Sequence, residues 1–180
     1  LYDLYSYNTK HNEANGWNNT DGDNNGNSWN CGCEGETDDP QIMELRRRMI
    51  KNAFAALMCS RGPAMFFAGD EFCNTQNGNN NAYCQDNEIS WLDWTRREEY
   101  ADVFEFARFM IHFRKEHPVL RKPTKAASCG FADISYHHGR AWNADCGNNA
   151  RLIGLLYAGK NDAEEDDLVY VGVNSYWEKL

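Results

Sequence analysis

Apolar residues recur at three- and four-residue spacing between residues 40 and 61, and this pattern predicts an amphipathic helix of about five turns. The helix start is marked by Thr37-Asp38-Asp39-Pro40, which supplies a capping side chain, acids for the helix dipole and a proline for the first turn. The end is marked by Arg61-Gly62-Pro63, in which glycine stops the helix and proline prevents its continuation. The apolar stripe consists of Ile42, Leu45, Met49, Ile50, Phe54, Leu57 and Met58.

A short run from Ala64 to Ala68 is apolar at every position. Such a run predicts a strand buried on both faces, and the succession of helix, turn and buried strand is half of a β/α repeat. Asp70 and Glu71 follow directly and open a loop, rich in Asn and aromatic residues, that extends to Trp94. A barrel enzyme builds its active-site mouth from such strand ends. The alternative is that both acids only hydrogen-bond the backbone of the loop.

A second helix is predicted over residues 97–117, with Thr95 as its cap. His112 and His117 lie within or beside this helix, and we expect them to pack or cap rather than to bind a ligand. The basic run Arg46-Arg47-Arg48 falls between the apolar positions of the first helix. We therefore expect it to form a solvated face rather than an anion site.

The sequence pattern changes after Val119, where the turns are rich in glycine and the apolar runs are short. The runs Leu152–Tyr157 and Leu168–Val173 predict antiparallel strands on either side of the acidic turn Asp162–Asp167. Two or three strands cannot close a sandwich, so the sequence predicts a β domain that is cut short at its carboxyl end.

The segment from Asn8 to Asp39 has almost no helical or strand periodicity and consists largely of Asn, Gly, Asp and Glu. A structureless stretch of this length is usually either functional or disordered. It also carries Trp17, Trp29, Cys31 and Cys33, residue types that disordered segments rarely contain. This composition favours an ordered loop that helps to build a site.

One part of that loop resembles a calcium-binding sequence. The stretch Asp21–Gly26 matches the first half of a calcium loop, with its glycine in the usual place. The twelfth position, which should supply a bidentate carboxylate, is Gly32, and Glu34 comes two residues too late. No amphipathic helix precedes the stretch either, so a calcium site is disfavoured.

Composition narrows the choice of partners. The formal net charge of −9 argues against nucleic acid or an anionic membrane as partner, and no apolar run approaches the length of a membrane span. The seven cysteines are odd in number and contain no Cys-x-x-Cys pair, which favours free thiols in a reducing cytoplasm over disulfides or a zinc site. The chain opens at Leu1 without a signal peptide, and we interpret it as a piece of a longer protein.

Four segments of the chain carry a recognisable pattern: Tyr2–Gly16, Ser28–Pro40, Gly62–Phe72 and Asn79–Trp94. Together they resemble the isoamylase-like group of bacterial glycogen debranching enzymes, in glycoside hydrolase family 13 of the α-amylase superfamily. The segment Gly62–Phe72 is shared by the wider superfamily, whereas the other three are diagnostic of the debranching group. The similarity covers residues 1 to about 120 closely and the rest loosely.

This resemblance implies an α/β fold that comprises the last quarter of a (β/α)8 TIM barrel and the start of an antiparallel β-sandwich domain. The barrel part would span residues 1–120, with the loop after strand seven, helix 7, strand 8 and helix 8. Residues 121–180 would form the amino-terminal part of the sandwich.

The reaction implied by the resemblance is hydrolysis of α-1,6 branch linkages in glycogen-like glucans, with retention of configuration and without a cofactor or metal. Retention requires a nucleophilic carboxylate and an acid/base carboxylate about 5 Å apart. In this family both lie on earlier strands, upstream of Leu1, and a third acid belongs to a His-Asp motif that this sequence lacks. We therefore expect no catalytic residue in the chain.

Substrate shaping is the role that the resemblance leaves to these residues, because aromatic faces suit pyranose rings and polar groups suit hydroxyls. The implied partners are a branched α-glucan, such as glycogen or limit dextrin, and the missing amino-terminal part of the same barrel. An alternative is a non-catalytic glucan-binding module with a groove lined by Trp17, Trp29, Trp91 and Trp94. The candidates for substrate contact are Tyr7, His11, Asn12, Glu13, Trp17, Asp70, Glu71 and Tyr83.

Overall fold

The structure of the chain is a computed structural model that describes residues 1–145, 147 and 149–176. The chain divides into a first unit, Leu1–Ala56 with Met65–Met110, and a second unit, Leu57–Ala64 with Ile111–Leu180. Its helices are α1, Pro40–Cys59, α2, Arg96–Glu99, and α3, Ala101–Glu116, and its strands are β1, Ile134–His137, β2, Leu152–Lys160, and β3, Asp166–Asn174. None of the helices among the described residues is long and apolar enough to cross a membrane.

Helix α1 confirms the prediction made from its apolar stripe and its start signal. The Asp39 carboxylate accepts hydrogen bonds from the backbone N–H groups of Gln41 (2.9 Å) and Ile42 (3.3 Å), which otherwise lack partners within the helix. Ile50 and Phe54, one helical turn apart, are completely buried. The local sequence therefore specifies both where the helix begins and which face it buries.

The basic run in α1 does not form the solvated face that we expected. Arg46 is buried and donates to the backbone carbonyls of Asn30 (3.1 Å) and Cys33 (2.5 Å). Arg47 forms an ion pair with Asp102, and only Arg48 is exposed. The interpretation was wrong for Arg46 because the amino-terminal loop folds over this part of the helix and needs donors for its own carbonyls.

The strand predicted for residues 64–68 is absent from the described part of the chain. The segment is extended, but Met65 and Phe67 are 87% and 64% exposed, while the ring of Phe66 packs on that of Phe54 at 5.6 Å. A strand buried on both faces needs a hydrogen-bonded neighbour on each side. No other described segment pairs with this one, so its prediction as a doubly buried strand was wrong.

The second predicted helix forms as two pieces, α2 and α3, which meet at Tyr100. Thr95 does not cap them with its side chain, contrary to expectation. Instead, Asp93 Oδ1 accepts from the backbone N–H (3.0 Å) and the hydroxyl (2.6 Å) of Thr95. Tyr100 is buried, with its ring centroid 5.8 Å from that of Tyr2, so tertiary packing coincides with the break in the helix.

The second unit contains a three-stranded antiparallel sheet in the order β1-β2-β3, as predicted for the apolar runs at 152 and 168. Its core is formed by Val119, Leu120, Tyr157 and Val169. His117 follows α3 and contacts the buried carboxylate of Asp167 at 2.7 Å, in agreement with a packing role.

Candidate functional site

A cleft of about 620 Å³ lies in the first unit, and its walls come from residues 3–10, 19–28 and 76–80. The first two stretches belong to the amino-terminal segment, and the third belongs to the Asn-rich loop that follows Asp70. Leu4 contributes apolar surface, and most of the remaining lining is polar and uncharged. The lining amides are those of Asn8, Asn19, Asn24, Asn27, Gln76, Asn79 and Asn80.

Asn12 lies beneath this cleft and joins its two walls. The side chain is completely buried, and its Nδ2 donates to Asp21 O (3.0 Å) and to Asn80 Oδ1 (2.8 Å). Its Oδ1 accepts from the backbone N–H of Asn80 (3.0 Å), and its own N–H donates to Asn19 Oδ1 (2.9 Å). Every polar atom of this side chain is therefore satisfied, as a buried amide requires.

A second group of side chains reinforces the same junction. Asn15 donates to Asp21 Oδ2 (2.8 Å) and accepts from the side chains of Asn79 (2.9 Å) and Gln85 (2.7 Å). Asn81 donates to the same Asp21 oxygen (2.9 Å). The two segments are thus connected by side chains on both sides, which confirms that the amino-terminal segment is an ordered loop.

Two glycines permit this close approach. Gly78 has φ +77°, and a Cβ there would lie 2.7 Å from Tyr7 Cδ1 and 2.9 Å from His11 Cδ2. Gly22 has φ +75°, and a Cβ there would lie 2.2 Å from Asn80 Oδ1. Both positions need a residue without a side chain that is free to adopt a left-handed backbone.

Glu34 anchors the first wall of the cleft. Its carboxylate accepts from the backbone N–H groups of Asn8 (2.8 Å) and Thr9 (3.1 Å), from the amide of Asn30 (3.0 Å), and contacts the His11 ring at 3.1 Å. Desolvation raises the pKa of Glu34, but the hydrogen bonds from Asn8, Asn30, His11 and Thr9 outweigh it and lower the pKa from 4.5 to about 2. The loop therefore folds around an ionised carboxylate.

Replacing Glu34 with glutamine is expected to destabilise the protein at neutral pH. A depressed folded-state pKa contributes stability that is fully present above the unfolded value of 4.5 and is lost as the pH falls toward 2. The difference in melting temperature between the unmodified protein and Glu34→Gln should therefore be constant above pH 5.5 and shrink below about pH 4.5. Thermal denaturation between pH 7 and pH 3 measures this, and a difference independent of pH would contradict the anchoring role.

Tyr7 is the member of the predicted set that lines the cleft. It is buried, and desolvation raises its pKa to about 12, with the negative charges of Asp3 and Glu36 acting in the same direction. The phenol therefore stays protonated at neutral pH and can donate a hydrogen bond. Lys10 adds one cation to the lining, with its ammonium 2.5 Å from the Asp21 carbonyl oxygen.

Asp70 and Glu71 lie in a 3₁₀ helix of one turn, Asp70–Phe72, and do not line the cleft. Asp70 Oδ2 accepts from the backbone N–H of Phe67 (2.9 Å), and Glu71 Oε2 accepts from that of Gly69 (2.9 Å). These hydrogen bonds agree with the alternative interpretation of the sequence, in which both acids hydrogen-bond the backbone of the loop. Their contact with substrate stays a prediction.

The remaining predicted residues lie around the junction rather than in the cleft wall. His11 is half-buried beside Tyr7, with ring centroids 5.3 Å apart, and Asn12 belongs to the buried network. Glu13, Trp17 and Tyr83 are exposed on the loops. Whether any of them contacts substrate stays a prediction.

The predicted set misses most of the lining, because it contains a single amide, Asn12, and otherwise aromatic, acidic and histidine side chains. The density of Asn between residues 18 and 30 and between 74 and 81 was the available signal. The density of Asn does not show which amides hydrogen-bond one another and which line the cleft. The cleft-lining residues absent from the predicted set include Leu4, Lys10, Asn19, Asp23, Ser28 and Gln76.

The arrangement suits recognition of a hydroxylated, uncharged ligand, since amides offer both donors and acceptors and Tyr7 adds an aromatic ring. Two carboxylates line the cleft, those of Asp3 and Asp23. Asp3 accepts from the Thr75 hydroxyl and from the backbone N–H of Gln76 (2.9 Å), so it serves the loop junction. Within the described residues, no group of His, Cys, Asp and Glu side chains forms a metal site.

Comparison with known proteins identifies relatives that are named as glycogen operon proteins, glycogen debranching enzymes or isoamylases. The chain is 55% identical over 122 residues to the "Glycogen operon protein GlgX homolog" of Mycobacterium tuberculosis, covering 68% of this chain and 17% of that protein. It is 38% identical over 177 residues to "Isoamylase 3, chloroplastic" of Oryza sativa subsp. japonica, covering 98% of this chain and 21% of that protein. No protein-family model matches. The chain thus spans about a fifth of the length of these relatives, in their carboxyl-terminal portion.

Solved structures give a consistent result. The pullulanase of Paenibacillus barengoltzii, in complex with maltohexaose and α-cyclodextrin, matches 74% of this chain and 19% of its own, at 28% identity and a TM-score of 0.58. Its form without ligand matches at a TM-score of 0.59. These relatives confirm the resemblance to the debranching enzymes that the sequence motifs indicated.

Proposed function

We propose that this chain, which is similar to a carboxyl-terminal portion of the isoamylase-type debranching enzymes, forms part of a longer α-1,6-glucosidase that hydrolyses branch linkages in glycogen-like glucans. The observation that carries the proposal is the convergence of the motif-bearing segments. Residues 3–10 and 76–80, which lie within or beside the segments of resemblance, line one amide-rich cleft. A cleft of that chemistry suits a sugar polymer, and the relatives are named for glycogen debranching and isoamylase activity.

In this proposal residues 1–120, with helices α1, α2 and α3 and the extended segment 64–68, form the last quarter of a (β/α)8 barrel. Residues 121–180 would begin the antiparallel β-sandwich, with β1, β2 and β3 as its first sheet.

The chemistry of the proposed reaction is a retaining double displacement, which needs a nucleophilic carboxylate and a separate acid/base carboxylate. We assign both to parts of the longer enzyme outside these residues. The two acids of the cleft do not suit the task, since Asp3 accepts two loop hydrogen bonds and Asp23 accepts one from the backbone N–H of Asn25. The contribution of this chain is to bind and orient the glucan, which lowers the entropic cost of reaching the reacting geometry.

Within the proposed site, Tyr7 supplies an aromatic edge and a hydroxyl donor to the glucan. The partner is a branched α-glucan, such as glycogen or limit dextrin, together with the rest of the barrel. A cytoplasmic location belongs to the same proposal and is supported by the described cysteines, none of which forms a disulfide, while Cys146 lies outside the described residues. The other proposed contacts are His11, Asn12, Glu13, Trp17, Asp70, Glu71 and Tyr83.

The test uses the full-length protein that carries this chain, incubated with glycogen and, as the matched control, with linear maltohexaose. We expect linear chains to be released from glycogen, detected as reducing ends, while maltohexaose remains intact because it has no branch. Cleavage of maltohexaose at a comparable rate would contradict branch specificity. Binding of glycogen without release would support the alternative, a non-catalytic glucan-binding module.

A further inference from the structure

A second cavity, of about 330 Å³, lies in the first unit on the other side of the backbone that bounds the cleft. Successive residues of that backbone face alternate sides. Thr75 and Asn77 line the second cavity, whereas Gln76 and Gly78 line the cleft. The segment 75–78, with its turn at Asn77 and Gly78, is therefore a shared wall between two neighbouring cavities.

Trp91 lines the second cavity and provides it with a fixed aromatic ring. The indole Nε1–H donates to Asp86 Oδ1 (3.1 Å), which holds the orientation of the ring. The side chain is nevertheless 57% exposed. An aromatic ring that is oriented but uncovered is pre-organised for a ligand with an apolar face.

Arg96 forms a fixed, charged part of the wall beside this ring. It lines the cavity and is 9% exposed. Its Nε donates to Cys73 O (2.6 Å) and its Nη1 to Glu36 (3.2 Å), and the guanidinium lies over the rings of Tyr2 (4.4 Å) and Tyr100 (4.9 Å). Arg96 therefore holds the shape of the wall rather than offering a free donor.

Asn77 adds both a donor and an acceptor to the cavity. Its backbone has φ +53°, and its N–H donates to the Thr75 hydroxyl (2.9 Å), so the position is held by the turn. Its side-chain amide, like the carboxylate of Glu88, forms no hydrogen bond within the described residues. The cavity therefore offers unengaged donors and acceptors together.

The charges of the lining exclude an anionic ligand. Three carboxylates, those of Glu36, Glu88 and Asp93, would repel an anion, and Arg96 compensates only Glu36, with which it pairs at 3.2 Å. An uncharged ligand with many hydroxyl groups suits the amide of Asn77, and the C–H face of a pyranose suits the Trp91 ring.

We propose that this second cavity is an additional glucan subsite, in which Trp91 contacts the face of a glucosyl residue while the side-chain amide of Asn77 binds its hydroxyls. The inference rests on the proposed function and adds a specific role to it. Because the two cavities share one wall, they hold two glucan segments side by side, as a polymer with branches presents them. The subsite binds substrate and takes no part in bond cleavage.

The decisive variant is Trp91→Ala in the full-length protein, with Phe109→Ala as the matched control. Phe109 is an aromatic residue of similar exposure, 58%, on helix α3, and it lines neither cavity. We expect Trp91→Ala to raise the KM for glycogen about tenfold with an unchanged kcat, because the lost contact is equal in ground state and transition state. We expect Phe109→Ala to change neither constant.

A second variant, Asn77→Gly, removes the side-chain amide and is expected to fold normally, since glycine adopts the left-handed backbone of this position without strain. It should raise the KM roughly threefold with an unchanged kcat. A KM for Trp91→Ala equal to that of Phe109→Ala would overturn the subsite, as would a fall in kcat at constant KM.

Calorimetric titration with maltohexaose separates this inference from the proposed function. If the unmodified protein binds maltohexaose and Trp91→Ala weakens that binding, the subsite stands even when glycogen is not hydrolysed. If the unmodified protein hydrolyses glycogen but the affinity for maltohexaose does not depend on Trp91, the subsite is wrong and the proposed function stands. Absence of any maltohexaose binding rejects the subsite.

Discussion

Replacing Arg114 with methionine is expected to lower the free energy of unfolding of the second unit by about 4 kcal/mol. The guanidinium is buried and donates to the backbone carbonyls of Met58 (2.6 Å), Ser60 (2.7 Å) and Leu120 (3.1 Å), and also to that of Gly62. The carbonyls of Met58, Ser60 and Gly62 end or follow helix α1, whereas that of Leu120 follows helix α3. Methionine fills a similar volume but offers no donor, so buried acceptors would lose their partner.

The measurement is denaturant unfolding, with hydrogen-exchange protection of strand β2 as the local readout. A loss of this size is a large part of the roughly 5–15 kcal/mol that stabilises a domain, so protection of β2 should fall strongly. Arg108→Met on the same helix is the matched control, because Arg108 is exposed and pairs with Glu105 of that helix. Its effect should stay below about 0.5 kcal/mol. Equal effects of the two substitutions would refute the role of Arg114 as the donor to these carbonyls.

The substitution Asn12→Asp is expected to cost about 3 kcal/mol at neutral pH, although it changes the shape of the side chain very little. The Nδ2 donor of Asn12 faces two acceptors, Asp21 O and Asn80 Oδ1. A carboxylate in that place would present oxygen to oxygen in a fully buried position. The walls of the cleft should then separate, and glucan binding should weaken with the loss of stability.

The pH dependence identifies the cause of this effect. A protonated carboxyl group can donate one hydrogen bond again, so the deficit of Asn12→Asp should become smaller as the pH falls from 7 to 4.5. Asn52→Asp is the matched control, since Asn52 is exposed on helix α1 and adds the same charge outside the network. Its effect on the melting temperature should be small. A deficit for Asn12→Asp that does not change with pH would show that charge and donor loss are not responsible.

Local sequence was sufficient for helix α1 and for the hairpin of β2 and β3. Asp39 caps the helix next to Pro40, and the apolar stripe selects the buried face, all within a few residues of one another. The hairpin follows from two apolar runs separated by an acidic turn, and its register pairs Leu156 with Tyr170. Such signals act over short distances along the chain and need no knowledge of the rest of the molecule.

The same reasoning was wrong for the segment 64–68 and for Arg46. An apolar run shows that side chains avoid water, but a strand forms only where another strand offers hydrogen bonds. The spacing of Arg46 predicted a solvated face, whereas the side chain is buried beneath Asn30 and Cys33, far from it in sequence. Periodicity cannot show which distant loop will cover a helix.

For the candidate site, the sequence by itself shows the amide-rich loops, the glycines at 22 and 78, and the motifs shared with debranching enzymes. Only the tertiary structure decided their use, by pairing Asn12 with Asn80 and by turning Thr75 and Gln76 toward different cavities. The physical reason is that a buried amide is stable only when specific partners satisfy all of its donors and acceptors. Those partners are about 70 residues away along the chain, so their identity is a property of the fold.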